Sequence, residues 1–327
     1  MLPNGRRLGA HLPLAGGLVR AADRAAAIGA SAMQVFVDNP TSWRRRETLP
    51  AELPAFRERL AAYDIAPLSV HAPYIVNIAG PDEETWQRSV ELLASELRVA
   101  AAYQAAFVNL HTGSHRGAGP ETGIAREAEG LRRALELAGD EAGAVALVLE
   151  NGSGGGFCLG ATPAELGAIA RAAAGLGVPR ERLGFCLDTA HLWAAGFAVD
   201  TGAGVDALLA DVDAEVGLDR VRMVHLNDSR SAAGSGSDRH EHLGGGAVGA
   251  AGLARFITHP GLARVAYLIE TPGMEEGWDA VNLDRARALA AGLPLEPLPQ
   301  AAFHTRSARG RGAPPEADEP ATTAATT

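Results

Sequence analysis

The sequence predicts an α/β chain folded as a single (β/α)8 barrel, and three observations carry that prediction. Eight short apolar runs of strand character recur along the 327 residues, each followed by a loop and then by a segment of helical period. These units, roughly 35 to 45 residues each, follow one another without a linker, and a barrel of this kind needs about 250 residues. Seven of the eight runs end in an ionisable side chain.

In chain order, Leu8 to Leu12 carries His11 and precedes the helical segment Leu18 to Ile28. Met33 to Val37 carries Phe36 and precedes Ala51 to Tyr63. Leu68 to Val70 ends on His71 before Thr85 to Tyr103, and Phe107 to Leu110 ends on His111 before Glu121 to Leu137. Val145 to Leu149 ends on Glu150 before Pro163 to Ala174, and Leu183 to Leu187 ends on Asp188 before Val205 to Val216. Val221 to Val224 ends on His225 before Leu253 to Ile257, and Val265 to Ile269 ends on Glu270 before Leu283 to Ala290. The longer segments are mostly Ala, Leu, Glu and Arg, which favour helix. A doubly wound open sheet is the competing architecture. Ionisable groups inside a protein cost on the order of several kcal/mol unless paired or metal-bound. A closed barrel gathers all strand ends at one C-terminal mouth, whereas an open sheet spreads them along a line. The strand ends therefore read as one site.

Composition narrows the chemistry. There are 39 acidic and 29 basic residues, a formal net charge of -10, and no lysine, so every basic side chain other than histidine is arginine. That excludes a Schiff-base lysine, a P-loop lysine and a lysine general base. The acidic balance argues against holding nucleic acid by bulk charge. Cys158 and Cys186 stand far apart, which supports neither a disulfide framework nor a thiolate zinc knuckle. No apolar h-region of signal-peptide type follows Arg6 and Arg7 and no run of 18 apolar residues occurs, so a cytoplasmic protein without membrane association is expected. From Pro299 large apolar residues nearly vanish, which predicts a barrel domain over 1–298 and a disordered low-complexity tail over 299–327.

Two motifs extend the ring of strand ends. Asp188 and His191 are i and i+3, on one side of a helical turn, and Asp238 and His240 are i and i+2, on one face of an extended loop. The candidate metal ligands are then His71, His111, Glu150, Asp188, His191, His225, Asp238, His240 and Glu270. Nine ligands exceed what one or two zinc ions of three or four protein ligands would use, whereas three ions sharing a carboxylate use them all. Imidazole-rich shells select zinc or manganese over magnesium and calcium.

The segments Gly9-Ala-His11, Ala15-Gly-Gly17, Val70-His71-Ala-Pro-Tyr74, Asn109-Leu-His111-Thr-Gly-Ser-His115 and Leu149-Glu150-Asn151 carry a resemblance. So do Cys186-Leu-Asp188-Thr-Ala-His191, Val224-His225-Leu-Asn-Asp228, Asp238-Arg-His240 and Ile269-Glu270-Thr271. The chain resembles the endonuclease IV family of apurinic/apyrimidinic endonucleases, in the xylose-isomerase-like TIM barrel superfamily. The resemblance implies a trinuclear zinc site, with Mn2+ possible in some positions. His71 and His111 would hold one ion, and Glu150 would bridge it to a second held also by Asp188, His225 and Glu270. His191, Asp238 and His240 would hold the third. It further implies a hydrolase that cuts double-stranded DNA 5' to abasic sites in base excision repair, leaving a 3'-hydroxyl and a 5'-deoxyribose phosphate. Glu150, Asp188 and Glu270 would be its catalytic carboxylates, the abasic nucleotide would be flipped out, and a monomer would suffice. Three divalent ions would bring the formal charge to about -4 and place that correction where phosphate binds.

Around this centre, Tyr74 matches a family position associated with insertion into DNA, or is a rim aromatic. Trp43 and Arg44, beside Arg45 and Arg46, read as a DNA-contacting patch or a solvated charge run, and Arg239 between two ligands is a further DNA-contact candidate. Thr41 stands where the family commonly has an arginine. His11 reads as a hydrogen-bond partner of a ligand, His115 and His242 as loop histidines or phosphate contacts, His259 and His304 as surface residues, and Cys186 as a small buried hydrophobe. The loop Asn151-Gly-Ser-Gly-Gly-Gly156 reads as structural, or as a phosphate cradle that lacks its lysine. The alternative function is a sugar isomerase or epimerase holding one ion with Glu150, Asp188, His225 and Glu270, which leaves the other five ligands without a purpose.

Overall fold

The computed structural model describes residues 1–305. Its strands are β1 (Leu8–His11), β2 (Ala32–Val35), β3 (Leu68–His71), β4 (Phe107–His111), β5 (Ala146–Glu150), β6 (Leu183–Asp188), β7 (Val221–His225), β8 (Asp228–Ser229), β9 (His240–Glu241) and β10 (Ala266–Ile269). Its helices are α1 (Leu18–Ala27), α2 (Leu53–Ala62), α3 (Glu83–Ala102), α4 (Pro120–Ala138), α5 (Pro163–Gly175), α6 (Thr189–Ala194), α7 (Gly202–Glu215), α8 (Gly249–Thr258) and α9 (Trp278–Ala290). Strands β1 to β7 and β10 pair in parallel in sequence order and close on themselves, so the chain is a (β/α)8 TIM barrel. β8 and β9 form a small antiparallel pair in the loop after β7, with Ser229 opposite His240.

Period-two alternation along the strands builds two packing layers. Ala32, Val148, Cys186, Met223, Ala266 and Leu268 pack together inside the barrel, with Phe107 against them. The next inward position on β5, β6 and β7 is Glu150, Asp188 and His225. Leu8, Met33, Leu110, Leu147, Phe185 and Tyr267 belong to the larger core shared with the helices. At Gly9 a side chain is impossible: a Cβ would lie 1.7 Å from the Ala32 carbonyl oxygen, so glycine lets β1 close onto β2. The helices begin at capping side chains: Asp82 accepts from the Thr85 N–H for α3, Thr162 from Glu165 for α5, and Thr201 from Gly204 for α7. No helix among the described residues is long and apolar enough to cross a membrane.

Each apolar run becomes a barrel strand within about two residues. The helical turn expected after Asp188 extends into α6, while the β8–β9 pair and the 3-10 turn Gln300–His304 have no counterpart in the sequence reading, being too short for a periodic signal. The last of these moves the expected boundary after residue 298: Ala302 is buried and its carbonyl accepts from His242 Nε2 at 2.8 Å, so packing continues through Thr305. One small side chain and one carbonyl do this, which composition does not register. The rest of the expected tail lies outside the described residues.

One buried acid stands apart from the site. Glu127 on α4 is fully buried, and neither carboxylate oxygen has a hydrogen-bond partner among the described residues. Burial pushes its carboxyl well above the usual value of 4.5. The fold therefore holds a proton that the unfolded chain releases near that value, so this contribution is complete below it and declines as pH rises toward the folded-state value. Glu127→Met is expected to raise Tm at pH 8 by about 2–4 °C and to flatten the decline. A thermal unfolding series from pH 5 to 9 checks this, and an unchanged curve contradicts it.

Candidate metal centre

The site is assembled at the C-terminal ends of the strands. The barrel ladders set His111 beside Glu150 and Asp188 beside His225. Asp188 also caps α6: its Oδ1 accepts from the Ala190 and His191 N–H groups at 2.7 and 2.9 Å, which seats His191 in the first turn. Asp238 and His240 come from the loop after β7, where pairing of β8 with β9 fixes His240.

Facing ligand atoms collect into four overlapping groups within 4.8 Å: His71, His111 and Glu150; Glu150, Cys186 and His225; Glu150, Asp188, His225 and Glu270; and Asp188, His191 and His240. Glu150 lies at the centre. Its oxygens are 3.5 Å from His71 Nε2, 4.0 Å from His111 Nε2 and 3.3 Å from His225 Nδ1. His225 Nδ1 is 3.5 Å from Glu270. Asp238 spans the third group, one oxygen 3.0 Å from His240 Nε2 and the other 3.3 Å from His191 Nε2. All nine sequence-predicted ligands thus meet at one mouth, with Asp188 shared between two groups.

The rings are oriented from behind. His71 Nδ1 faces the Ala72 carbonyl at 2.7 Å, His191 Nδ1 the Asn151 carbonyl at 2.9 Å, and His240 Nδ1 the Glu270 carbonyl at 3.0 Å. With the proton donated outward, the second nitrogen turns a lone pair inward. His225 presents Nε2 to the Gln34 amide, 3.3 Å from its oxygen, which leaves Nδ1 inward. His225 Nδ1 and His240 Nε2 are buried close to carboxylate oxygens but make no hydrogen bond of acceptable geometry among the described residues. Inward lone pairs, orphaned buried nitrogens and four carboxylates form a donor set that fits divalent cations of the zinc type.

The electrostatics agree. Burial alone would raise the Glu150 carboxyl, but His225 and His111 hold it well below the carboxylate range. Burial likewise opposes protonation of His240, yet Asp238 and Asp188 lift it to about 10. Such attraction between protonated imidazole and carboxylate is the attraction a shared cation would supply. Cys186 lies inside the barrel under the ligands, its thiol pushed up to about 12 by burial, as suits an inert packing residue.

Four amides that sequence reasoning passed over hold the acids. Asn109 Nδ2 donates to Glu150 at 2.6 Å, and Asn227 Nδ2 donates to Asp188 at 2.7 Å. Asn151 Oδ1 accepts from the Asp188 N–H at 2.7 Å. Gln34 Nε2 donates to Glu270 at 2.8 Å, and His11 Nδ1 lies 3.1 Å from the same oxygen. The available signal was an amide interrupting an apolar strand, as at Gln34 and Asn109, because asparagine is depleted in strands.

At the rim, Tyr74 is 60% exposed with its ring 5.2 Å from Phe36 and 6.0 Å from His111. Arg44 and Arg239 are exposed. Trp43 is half-buried under the Arg88 guanidinium at 4.5 Å, so it packs the loop onto α3 and offers no open ring face on that side. Arg45 pairs with buried Glu96 at 3.2 Å and Arg46 with Asp38 at 2.7 Å, while Thr41 bonds Asn39. The charge run is therefore divided: two of its arginines hold the loop and Arg44 faces solvent. His115 and His242 are loop residues bonded to backbone.

The sequence pattern of the family described as xylose isomerase-like TIM barrel matches residues 22–293. A probable endonuclease 4 from Methanoculleus marisnigri is 39% identical over 283 residues, covering 86% of this chain and 98% of that protein. One from Solibacter usitatus is 40% identical over 291 residues, covering 88% and 99%. The crystal structure of endonuclease IV from Thermus thermophilus superposes with a TM-score of 0.75 at 39% identity, covering 88% of this chain and 99% of that one. A D-tagatose 3-epimerase-like protein, at 17% identity and a TM-score of 0.60, shares the fold. With nine candidate ligands gathered at the barrel mouth and relatives of this similarity over nearly their whole length, the chain belongs to the endonuclease IV family of hydrolases.

Proposed function

We propose that this protein is a DNA-repair endonuclease that binds three zinc ions and cleaves double-stranded DNA on the 5' side of an abasic site, leaving a 3'-hydroxyl and a 5'-deoxyribose phosphate. The observation that supports this most is the ring of imidazole nitrogens around Glu150, from His71, His111, His191 and His225, a donor set with more members than one ion needs. His71, His111 and Glu150 would hold one ion, Glu150, Asp188, His225 and Glu270 a second, and His191, Asp238 and His240 the third, with Asp188 close enough to join them. Bound zinc-type ions supply Lewis acidity toward a phosphodiester and lower the pKa of a coordinated water toward neutrality.

The protein's own groups do the positioning. Asn109 and Asn227 each occupy a carboxylate oxygen of Glu150 and Asp188, and Gln34 with His11 occupies one of Glu270, so the acids are fixed before substrate arrives. A cavity of about 280 Å3 beside the cluster, lined by Tyr74, His111, His191 and Asp238 among others, offers an unstacked sugar and its phosphate a place next to the ligands. One chain carries every ligand, so a monomer suffices.

The test is a duplex with one tetrahydrofuran abasic analogue and an undamaged control. The proposal expects one cut, 5' to the analogue, ending in a 3'-hydroxyl; cutting 3' to it, or equal cutting of both duplexes, overturns it. A single-ion epimerase would use four of the nine ligands, and the assembled His71, His111, His191 and His240 favour the nuclease.

Gln34 gives a separate expectation. Its amide spans two ligands, accepting at Oε1 from His225 Nε2–H and donating through Nε2 to Glu270. Gln34→Met is expected to weaken metal retention about 10–100-fold, measured as zinc remaining after graded chelator. Retention equal to the native protein would mean the two ligands hold their own orientation.

A further inference from the structure

Two features at the barrel mouth have no part in the proposed reaction: His115 and the glycine-rich loop after β5. They belong to one object. The loops after β4 and β5 are zipped by an antiparallel bridge between Ser114 and Cys158. The His115 N–H donates to the Phe157 carbonyl at 3.0 Å and the Leu159 N–H to the Gly113 carbonyl at 3.1 Å. The glycines serve packing: a Cβ on Gly155 would lie 2.3 Å from the Gly236 carbonyl oxygen, so this loop rests directly on the segment leading to Asp238. The result is a pinned ridge beside the cluster.

Its crest carries an aromatic and a cation. Phe157 is 56% exposed, its ring 5.2 Å from that of His115. A Cβ on Gly117 would reach 4.0 Å from the Phe157 ring tip, so the ring leans over the turn after Arg116. Arg116 has φ 46, a left-handed conformation uncommon for arginine. Its charge is felt by Asp82 without an ion pair to it, and it lines the 280 Å3 cavity together with His111, His191 and Tyr74. An aromatic face and a guanidinium with no ion pair among the described residues, on one rigid crest, suit a nucleic-acid strand: every base has a face to stack, and every nucleotide a phosphate to pair.

We propose that the Phe157–Arg116 crest is a strand-binding platform, Phe157 stacking on a base next to the lesion and Arg116 holding an adjoining phosphate. The proposal rests on the endonuclease reading and adds a second recognition element to it. The zinc-loaded full chain is assayed on a duplex with one tetrahydrofuran analogue and 2-aminopurine on either side of it. Phe157→Ala is expected to raise KM about tenfold, change kcat less than about twofold, and abolish the stacking quench of one 2-aminopurine. Phe157→Tyr restores both readouts. Arg116→Asn, which tolerates the left-handed backbone, is expected to lower the slope of log affinity against log salt by about 1. Failure of the native chain to cut the lesion duplex overturns the endonuclease reading and the platform with it. Native cutting alongside Phe157→Ala with unchanged KM and quench, and Arg116→Asn with unchanged salt slope, overturns the platform alone.

Discussion

Glu150→Gln is expected to lower kcat/KM for a duplex carrying an abasic analogue by three orders of magnitude or more, equivalent to about 4 kcal/mol of transition-state stabilisation. The reason is position. Glu150 is buried at the centre of the cluster, within 4.0 Å of His71, His111 and His225, and belongs to three of the four groups of facing ligand atoms. The amide removes one negative charge from the pair of sites it joins and leaves one oxygen in place of two. Steady-state kinetics with zinc content measured on the same samples checks this: zinc per chain falls together with activity. Native activity in the variant would mean that Glu150 orients its neighbours without binding metal.

Glu270→Gln is expected to cost a similar factor in cutting while DNA binding stays within about threefold. Glu270 has one oxygen held by Gln34 and His11 and the other 3.5 Å from His225 Nδ1, so its second oxygen faces the cluster. Its side chain is only 17% exposed, below the rim where Tyr74, Arg44 and Arg239 stand, so the substitution leaves the outer surface unaltered. Gel-shift titration beside single-turnover cutting separates the two effects. A variant that cuts normally removes Glu270 from the catalytic set, and one that loses binding in proportion to cutting makes it a recognition residue.

The barrel and the gathering of its candidate ligands were legible in the sequence for one physical reason. Parallel strands buried on both faces read as short apolar runs, and an ionisable group closing such a run is costly unless something at the barrel mouth compensates it. His71, His111, Glu150, Asp188, His225 and Glu270 all carry that signature. Less was legible where the determinant lies in contacts distant in sequence. Gln34 supports His225 from 191 residues away, and Asn109 supports Glu150 from 41. Trp43 with its three arginines reads as one charge run, yet Arg88 and Glu96 on α3 turn part of it into an anchor. The glycines after β5 resemble a phosphate loop in one dimension and become a packing surface against Gly236 in three. Recurring cost within a strand shows in sequence; a contact partner on another loop does not.

Bound metal and cutting are best measured together on the full chain. Metal per chain is determined by elemental analysis, then cutting of the abasic duplex is followed as zinc is stripped by chelator and restored. A three-zinc endonuclease is expected to carry about three zinc ions per chain, to lose cutting on stripping, and to recover it when zinc is returned. One ion per chain, or cutting that persists after all metal has been removed, would contradict this expectation.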